Sequence, residues 1–331
     1  DEALNEYTHL MQQVKEEYKK RGYSVVAITD HEHINNNSYL DDEDFITLTS
    51  AEFAIKEVPA QSTLKNFDMK VCHLNFYAKE QGNDYTFCYS EVADHFSKPE
   101  RKALINRPCG EYERVYGHEG ISKLIREANE HGFFVCYNHP RWSLENARDY
   151  LEYKGLWAVE VYNNECNATG LYEYDINVYD DFLRDGERLA CTATDDNHSV
   201  KSACGGWTVI NCESLDYSFV IKAMEDHNLY ASTGPVIHEL YFEDKVATLT
   251  FEKGAYATMS TNGRRIIKRK NAKNADGENT VTFTFDPEKE KYVRFDVVDE
   301  YGKRANTCAF LCKILKKVYL KGKHLGGFLC K

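Results

Sequence analysis

Residues 119–140 read EGISKLIREANEHGFFVCYNHP, and this stretch decides the fold expected from the sequence. Residues 119–131 have a helical pattern, Gly132 stops it, and FFVCYN follows as a short apolar strand ending at His139-Pro140. The same organisation recurs on both sides. A helical pattern from Leu4 to Arg21, with Leu10, Met11, Val14 and Tyr18 on one face, closes at Gly22. It feeds YSVVAIT (Tyr23–Thr29), which ends in Asp30-His31. FITLT (Phe45–Thr49) runs into Glu52, and KVCHLNFYA (Lys70–Ala78) contains His73. WAVEVY (Trp157–Tyr162) is a further strand. A helix over 175–185 and Gly186 lead to RLACTAT, which ends at Asp195-Asp196, and 215–227 reads as a last helix. Strands alternating with helices imply βα units around a parallel sheet, whose chemistry collects at the strand C-termini. Ligand-type residues at strand end after strand end favour a closed α/β barrel over an open sheet.

After Gly234-Pro235 the pattern changes to alternating stretches such as KVATLTFEK and KYVRFDVVDEYG, which predict a small antiparallel β domain over 236–310. From Lys313 to Lys331 the chain carries six Lys and no acid. Residues 311–331 read as a basic, poorly specified tail.

The 331 residues are 42% hydrophobic and 28% charged, an ordinary globular composition with ample core. The net charge of -12 argues against a broad nucleic-acid backbone binder, which needs a cationic footprint, so no long nucleic acid is expected as a partner. No apolar run approaches the roughly 18 residues of a membrane span, and no signal peptide is visible. Eleven cysteines without a CxxC pair, with Cys72, Cys136 and Cys191 in apolar runs, read as buried and reduced, which fits a cytoplasmic protein.

The candidate metal ligands are His31, Glu52, His73, His139, Asp196 and His198. Imidazole nitrogen and carboxylate oxygen are the ligand types of Zn, Mn and Fe. A carboxylate such as Glu52 can bridge two ions, and the spacing of Asp196 and His198 lets both reach one side of a mouth. Arg141 follows His139-Pro140 and either forks onto a phosphate or forms a salt bridge with Glu160 or another acid. Trp142 is expected in the core, with a pocket wall as the alternative. Glu160 and Asn163 are candidates to orient ligand histidines, and Asp195 reads either as another such supporting partner or as a cap, rather than as a ligand. Lys201 and Ser202 read as a solvated loop, or as contacts to an anion. His33, His118 and His131 read as solvated. His95 has no visible partner, and His227 is expected as a cation at a helix C-terminus.

The segments ITDH (Ile28–His31), NHP (Asn138–Pro140) and DDNH (Asp195–His198), in that order, resemble the motifs of the PHP family, named for polymerase and histidinol phosphatase. NHPRW, VEVYN, TATDDNH and GGWT resemble its stand-alone metal-dependent phosphoesterases more closely, over roughly residues 10–235. The resemblance implies a distorted (β/α)7 barrel holding two or three divalent ions, Mn, Zn or Fe. His31, Glu52, His73, His139, Asp196 and His198 would be ligands, with Glu52 bridging. It implies hydrolysis of phosphoester bonds in a small phosphorylated molecule or nucleotide by a metal-activated water. The family's opening HxH motif has no counterpart in these residues. The expectation is therefore that the first strand lies upstream of Asp1 and that this chain alone holds fewer ions. A degenerate barrel serving as a non-catalytic binding or regulatory module is the alternative, and an amide rather than a phosphoester bond is a third.

Overall fold

The computed structural model describes residues 2–57, 69–90, 110–199, 202–270, 277–315, 318–320 and 324–330. His95 and Lys201, considered above, lie outside the described residues.

Helix α1 (Glu2–Lys20) precedes strands β1 (Val25–Ile28), β2 (Ile46–Leu48), β3 (Ser50–Lys56) and β4 (Val71–Ala78). Then come α2 (His118–Glu130), β5 (Phe133–Tyr137), α3 (Ala147–Tyr150), β6 (Ala158–Asn163), α4 (Asn164–Ala168), α5 (Ile176–Asp185) and β7 (Ala190–Thr194). Strand β8 (Trp207–Asn211), α6 (Tyr217–Glu225) and β9 (Leu229–Ser232) complete the first part. The rest is β: β10 (Val236–Glu243), β11 (Val246–Glu252), β12 (Tyr256–Thr261), β13 (Ile266–Lys270), β14 (Asn279–Thr284), β15 (Tyr292–Val298), β16 (Arg304–Thr307) and β17 (Phe310–Leu311). Last are β18 (Val318–Leu320) and β19 (His324–Cys330).

The helices form where apolar residues recur at helical spacing. In α2, Ile121, Leu124, Ile125 and Ala128 are the buried face. Helix α5 stops at Gly186, whose φ of 101° is the left-handed C-cap conformation that glycine adopts without strain. In α1, Tyr18 is buried, with Met11 and Val14 packed beside it against Val26 and Ile28 of β1, whereas Leu10 is exposed.

The expected (β/α)7 barrel is not what the chain forms. The structure is 35% strand and 23% helix, with six helices among the described residues. Only part of the sheet is parallel: β5, β6 and β7 run together, as do β1 and β2. Strand β4 is antiparallel to both β3 and β5. A repeating βα unit requires a crossover before every strand, and β2 and β3 are separated by Thr49 alone. The result is one mixed sheet in the order β13-β12-β15-β16-β9-β8-β19-β7-β6-β5-β4-β3, with β1 joined to β19 and β2.

The C-terminal strands form a sandwich. A second sheet, β14-β11-β10-β18, packs on β12 and β15 through Leu240, Phe242, Leu249, Phe251, Met259 and Phe295. This layer is continuous with the first part, because β16 pairs with β9 across the boundary expected at residue 235. Buried Arg294 of β15 also grips α5, with Nε and Nη2 at 2.7 and 2.9 Å from the Asp180 carboxylate. The expected tail contributes β18, beside β10, and β19, which runs parallel to β1 and antiparallel to β8. The nine cysteines whose side chains are described are free, and Cys72, Cys136 and Cys191 are buried. Among the described residues, no helix is long and apolar enough to cross a membrane.

Candidate metal centre

Strands β1, β5 and β7 end at the same edge, and their following residues carry Asp30-His31, Asn138-His139 and Asp195-Asp196. Glu52 and His73 reach that edge differently from the expectation. They lie inside β3 and β4, not after the ends of parallel strands. Because β4 runs antiparallel to β5, its beginning lies beside the end of β5, where Asn138 N donates to His73 O at 3.0 Å. The register pairs Glu52 with Asn75 and Ala54 with His73. Side chains alternate along a strand, so Glu52 and His73 share one face as diagonal neighbours.

The Glu52 carboxylate is fully buried. Its Oε2 is 3.0 Å from His31 Nδ1, and its Oε1 is 3.3 Å from His73 Nδ1 and 3.5 Å from His139 Nε2. Asn138 Nδ2 donates to Oε1 at 2.7 Å and so fixes the carboxylate's rotation. One donor atom each from Glu52, His73 and His139 lies within 4.8 Å of the others, and all three residues are buried. This group can hold a metal ion. One oxygen and two imidazole nitrogens are a fitting donor set for a divalent transition ion, and three ligands leave a coordination position open.

The other three candidates surround this group without joining it. Asp196 Oδ2 is 3.8 Å from His139 Nε2. His198 lies 3.6 Å from Asp196 Oδ1, with its ring largely exposed, and contacts the backbone oxygen of Asp196 at 3.0 Å. The rings of His31 and His198 are 6.4 Å apart.

The backbone at this edge is strained. His139 has φ 23° and Asp196 has φ 52°, values that β-carbon-bearing residues rarely adopt. Buried carboxylates hold both turns in place. Glu160 accepts His139 N at 2.8 Å, Asn163 Nδ2 at 3.0 Å and the Thr194 hydroxyl. Asn163 Nδ2 also donates to Asp196 Oδ2 at 2.9 Å, linking the two strained turns. Glu160 thus grips the backbone of a ligand histidine, not its ring. Burial pushes the Glu160 carboxyl up from its ordinary range. Asp195 caps the next loop, accepting from Cys204 N, Gly205 N and Gly206 N at 2.6, 2.8 and 3.1 Å and from Tyr18 Oη at 2.8 Å. A β-carbon at Gly205 would stand 2.0 Å from Asn164 Oδ1, so this turn excludes side chains.

Arg141 is exposed and makes no ion pair among the described residues; the acid Glu160 is occupied elsewhere. Trp142 is not a core residue. It is 39% exposed, with its ring 5.0 Å from that of His73 and 4.9 Å from that of His139. His33 is half-buried rather than solvated, and burial lowers its pKa. His227 is not a helix-end cation: burial and then Arg188 lower its pKa to about 4.

Two site residues had escaped the sequence reading. Asn138 stood in the NHP motif beside a named ligand, so adjacency could have found it. Glu173 carried no signal. It is buried, and its two carboxylate oxygens accept Arg141 N at 2.8 Å and Trp142 N at 3.0 Å. Burial, followed by Asp175, raises its pKa to about 9.

No protein-family model matches the chain, and no curated protein matches it either.

Proposed function

We propose that the chain is a metal-dependent phosphoesterase that hydrolyses small phosphorylated molecules. The observation that carries this reading is the buried Glu52–His73–His139 group, with the Arg141 guanidinium, which makes no ion pair among the described residues, two positions beyond His139. The order of ITDH, NHP and DDNH supports it through the PHP resemblance. A divalent ion held by Glu52, His73 and His139 would supply Lewis acidity and an acidified water at neutral pH.

The protein's own groups do the remaining work. Arg141 binds two phosphoryl oxygens through its planar fork. Trp142 packs against the rings of His73 and His139, tilted on one and edge-on to the other, and keeps bulk water from them. Asn138 holds the Glu52 carboxylate, while Glu160 and Glu173 hold the turn that carries His139, Arg141 and Trp142. Asp196, His31 and His198 border the same space and extend the donor set toward a second ion.

The test is elemental analysis of the purified chain after loading with Mn, Zn or Fe, followed by phosphate release from a panel of phosphomonoesters and phosphodiesters. Bound metal with phosphate release dependent on Glu52 supports the proposal; bound metal without turnover of any ester refutes it. One observation favours a binding or regulatory module as the second reading: among the described residues only one group of three donors converges. That reading predicts a single ion and no phosphate release.

A further inference from the structure

Two loops beside the ligand group carry exposed apolar side chains that a small polar phosphoester does not require. Trp142, Leu144, Leu171 and Tyr172 are 39%, 53%, 37% and 76% exposed. Single exposed apolar residues are ordinary. These four sit on two loops that one carboxylate ties together, since Glu173 holds the backbone of Arg141 and Trp142 at 2.8 and 3.0 Å. The Trp142 ring, tilted on that of His73 and edge-on to that of His139 at 5.0 and 4.9 Å, brings this rim to the border of the donor set.

Backbone conformation adds an independent observation. Leu144 has φ 58° and Tyr172 has φ 52°, where glycine or asparagine would sit at lower cost. Each turn therefore carries a bulky side chain that its geometry disfavours and that core packing does not demand.

We infer that this rim receives the alcohol portion of the substrate, and that the preferred substrates are phosphoesters of aromatic alcohols. Arg141 takes the phosphoryl group, while Tyr172 and Trp142 take the ring. This deepens the hydrolytic reading above and rests on it. The exposed side chains fit such an occupant: the Arg141 cation for the anionic end, and apolar groups on the two loops beside it. The hydroxyl groups of a sugar phosphate would face Leu144 and Leu171 and find no partners there.

Benzyl phosphate and ethyl phosphate separate the alternatives, because their leaving alcohols have similar acidity and differ in the ring. The metal-loaded chain should hydrolyse benzyl phosphate with about tenfold higher kcat/KM, the difference residing in KM, as expected for one or two aromatic contacts. Tyr172→Asn, which suits the left-handed backbone and alters an exposed position, should bring the ratio close to one; Tyr172→Phe should retain it. A ratio near one in the unaltered chain overturns the inference. Binding is measured separately with benzylphosphonate and ethylphosphonate by calorimetry, which needs no turnover. Equal affinities overturn the inference even if both esters are hydrolysed. A Tyr172-dependent preference for benzylphosphonate without hydrolysis of either ester upholds the aromatic rim and refutes the phosphoesterase reading instead.

Discussion

Replacing Glu52 by glutamine tests the centre at the point where its contacts converge. Gln keeps the volume but removes the charge, and it puts an N–H group in place of one of the two oxygens that between them face His31, His73, His139 and Asn138 at 2.7 to 3.5 Å. Loss of a charge-assisted contact costs about 1.5–3 kcal/mol, and the upper figure corresponds to roughly a hundredfold weaker metal affinity. The consequence can be read in stability. At free metal one hundred times Kd, binding stabilises the folded chain by about 2.7 kcal/mol, and a hundredfold loss leaves about 0.4 kcal/mol. For a chain of 331 residues, unfolding entropy of about 2.1 cal/mol/K per residue turns these into Tm shifts of about 4 °C and less than about 1 °C. The metal-free variant should be no less stable than the metal-free original, because a fully buried carboxylate is costly without a bound cation. Thermal unfolding with and without Mn or Zn, beside elemental analysis, checks both statements. An undiminished metal-induced shift in Glu52→Gln would refute the reasoning, since it would place the ion outside this carboxylate.

Arg141→Lys keeps the charge but loses the fork; KM for a phosphorylated substrate should rise about tenfold with metal content unchanged, as steady-state kinetics and elemental analysis would show. His227 has a pKa lowered to about 4 by burial and Arg188, so between pH 6.5 and 4 the unfolded chain takes up a proton that the folded chain refuses. Stability is thus lost as pH falls through that window; His227→Asn, suited to the φ of 56°, should gain on the original by about 2–3 kcal/mol between pH 7.5 and 4.5 in urea titrations. Arg294→Met leaves buried Asp296 without its cation and Asp180 with only the longer contact to Arg184 at 3.7 Å, and should cost about 3–5 kcal/mol by denaturant unfolding, which a freely separable C-terminal layer would not show.

The readable parts of this molecule are those whose signal is local. Helix, glycine, apolar strand and NHP follow one another within 119–140, and α2, β5 and His139 lie where that order puts them. Strand direction is another matter. KVCHLNFYA presents the same apolar residues whichever way it runs, so the sequence around His73 cannot distinguish a parallel strand ending near the site from an antiparallel one starting there. Both placements bring His73 to the same edge. That is why Glu52, His73 and His139 can be placed together from the sequence although the architecture around them differs from the expected barrel: the motif records which residues meet, and the long-range pairing of β3, β4 and β5 decides how. Glu173 shows the opposite limit. Its partners are backbone N–H groups, which any residue at 141 and 142 except proline would supply, so no side-chain pattern marks the contact. Trp142 and His227 fall between these cases, because a ring's neighbours and a histidine's charge depend on what the fold packs against them. Near the centre, then, the chain spells out its candidate ligands and leaves unspoken the carboxyl groups that hold the neighbouring backbone in place. It is those holders, Glu160 and Glu173, that accept the backbone N–H groups of His139 and Arg141 and fix the course of the turn between them.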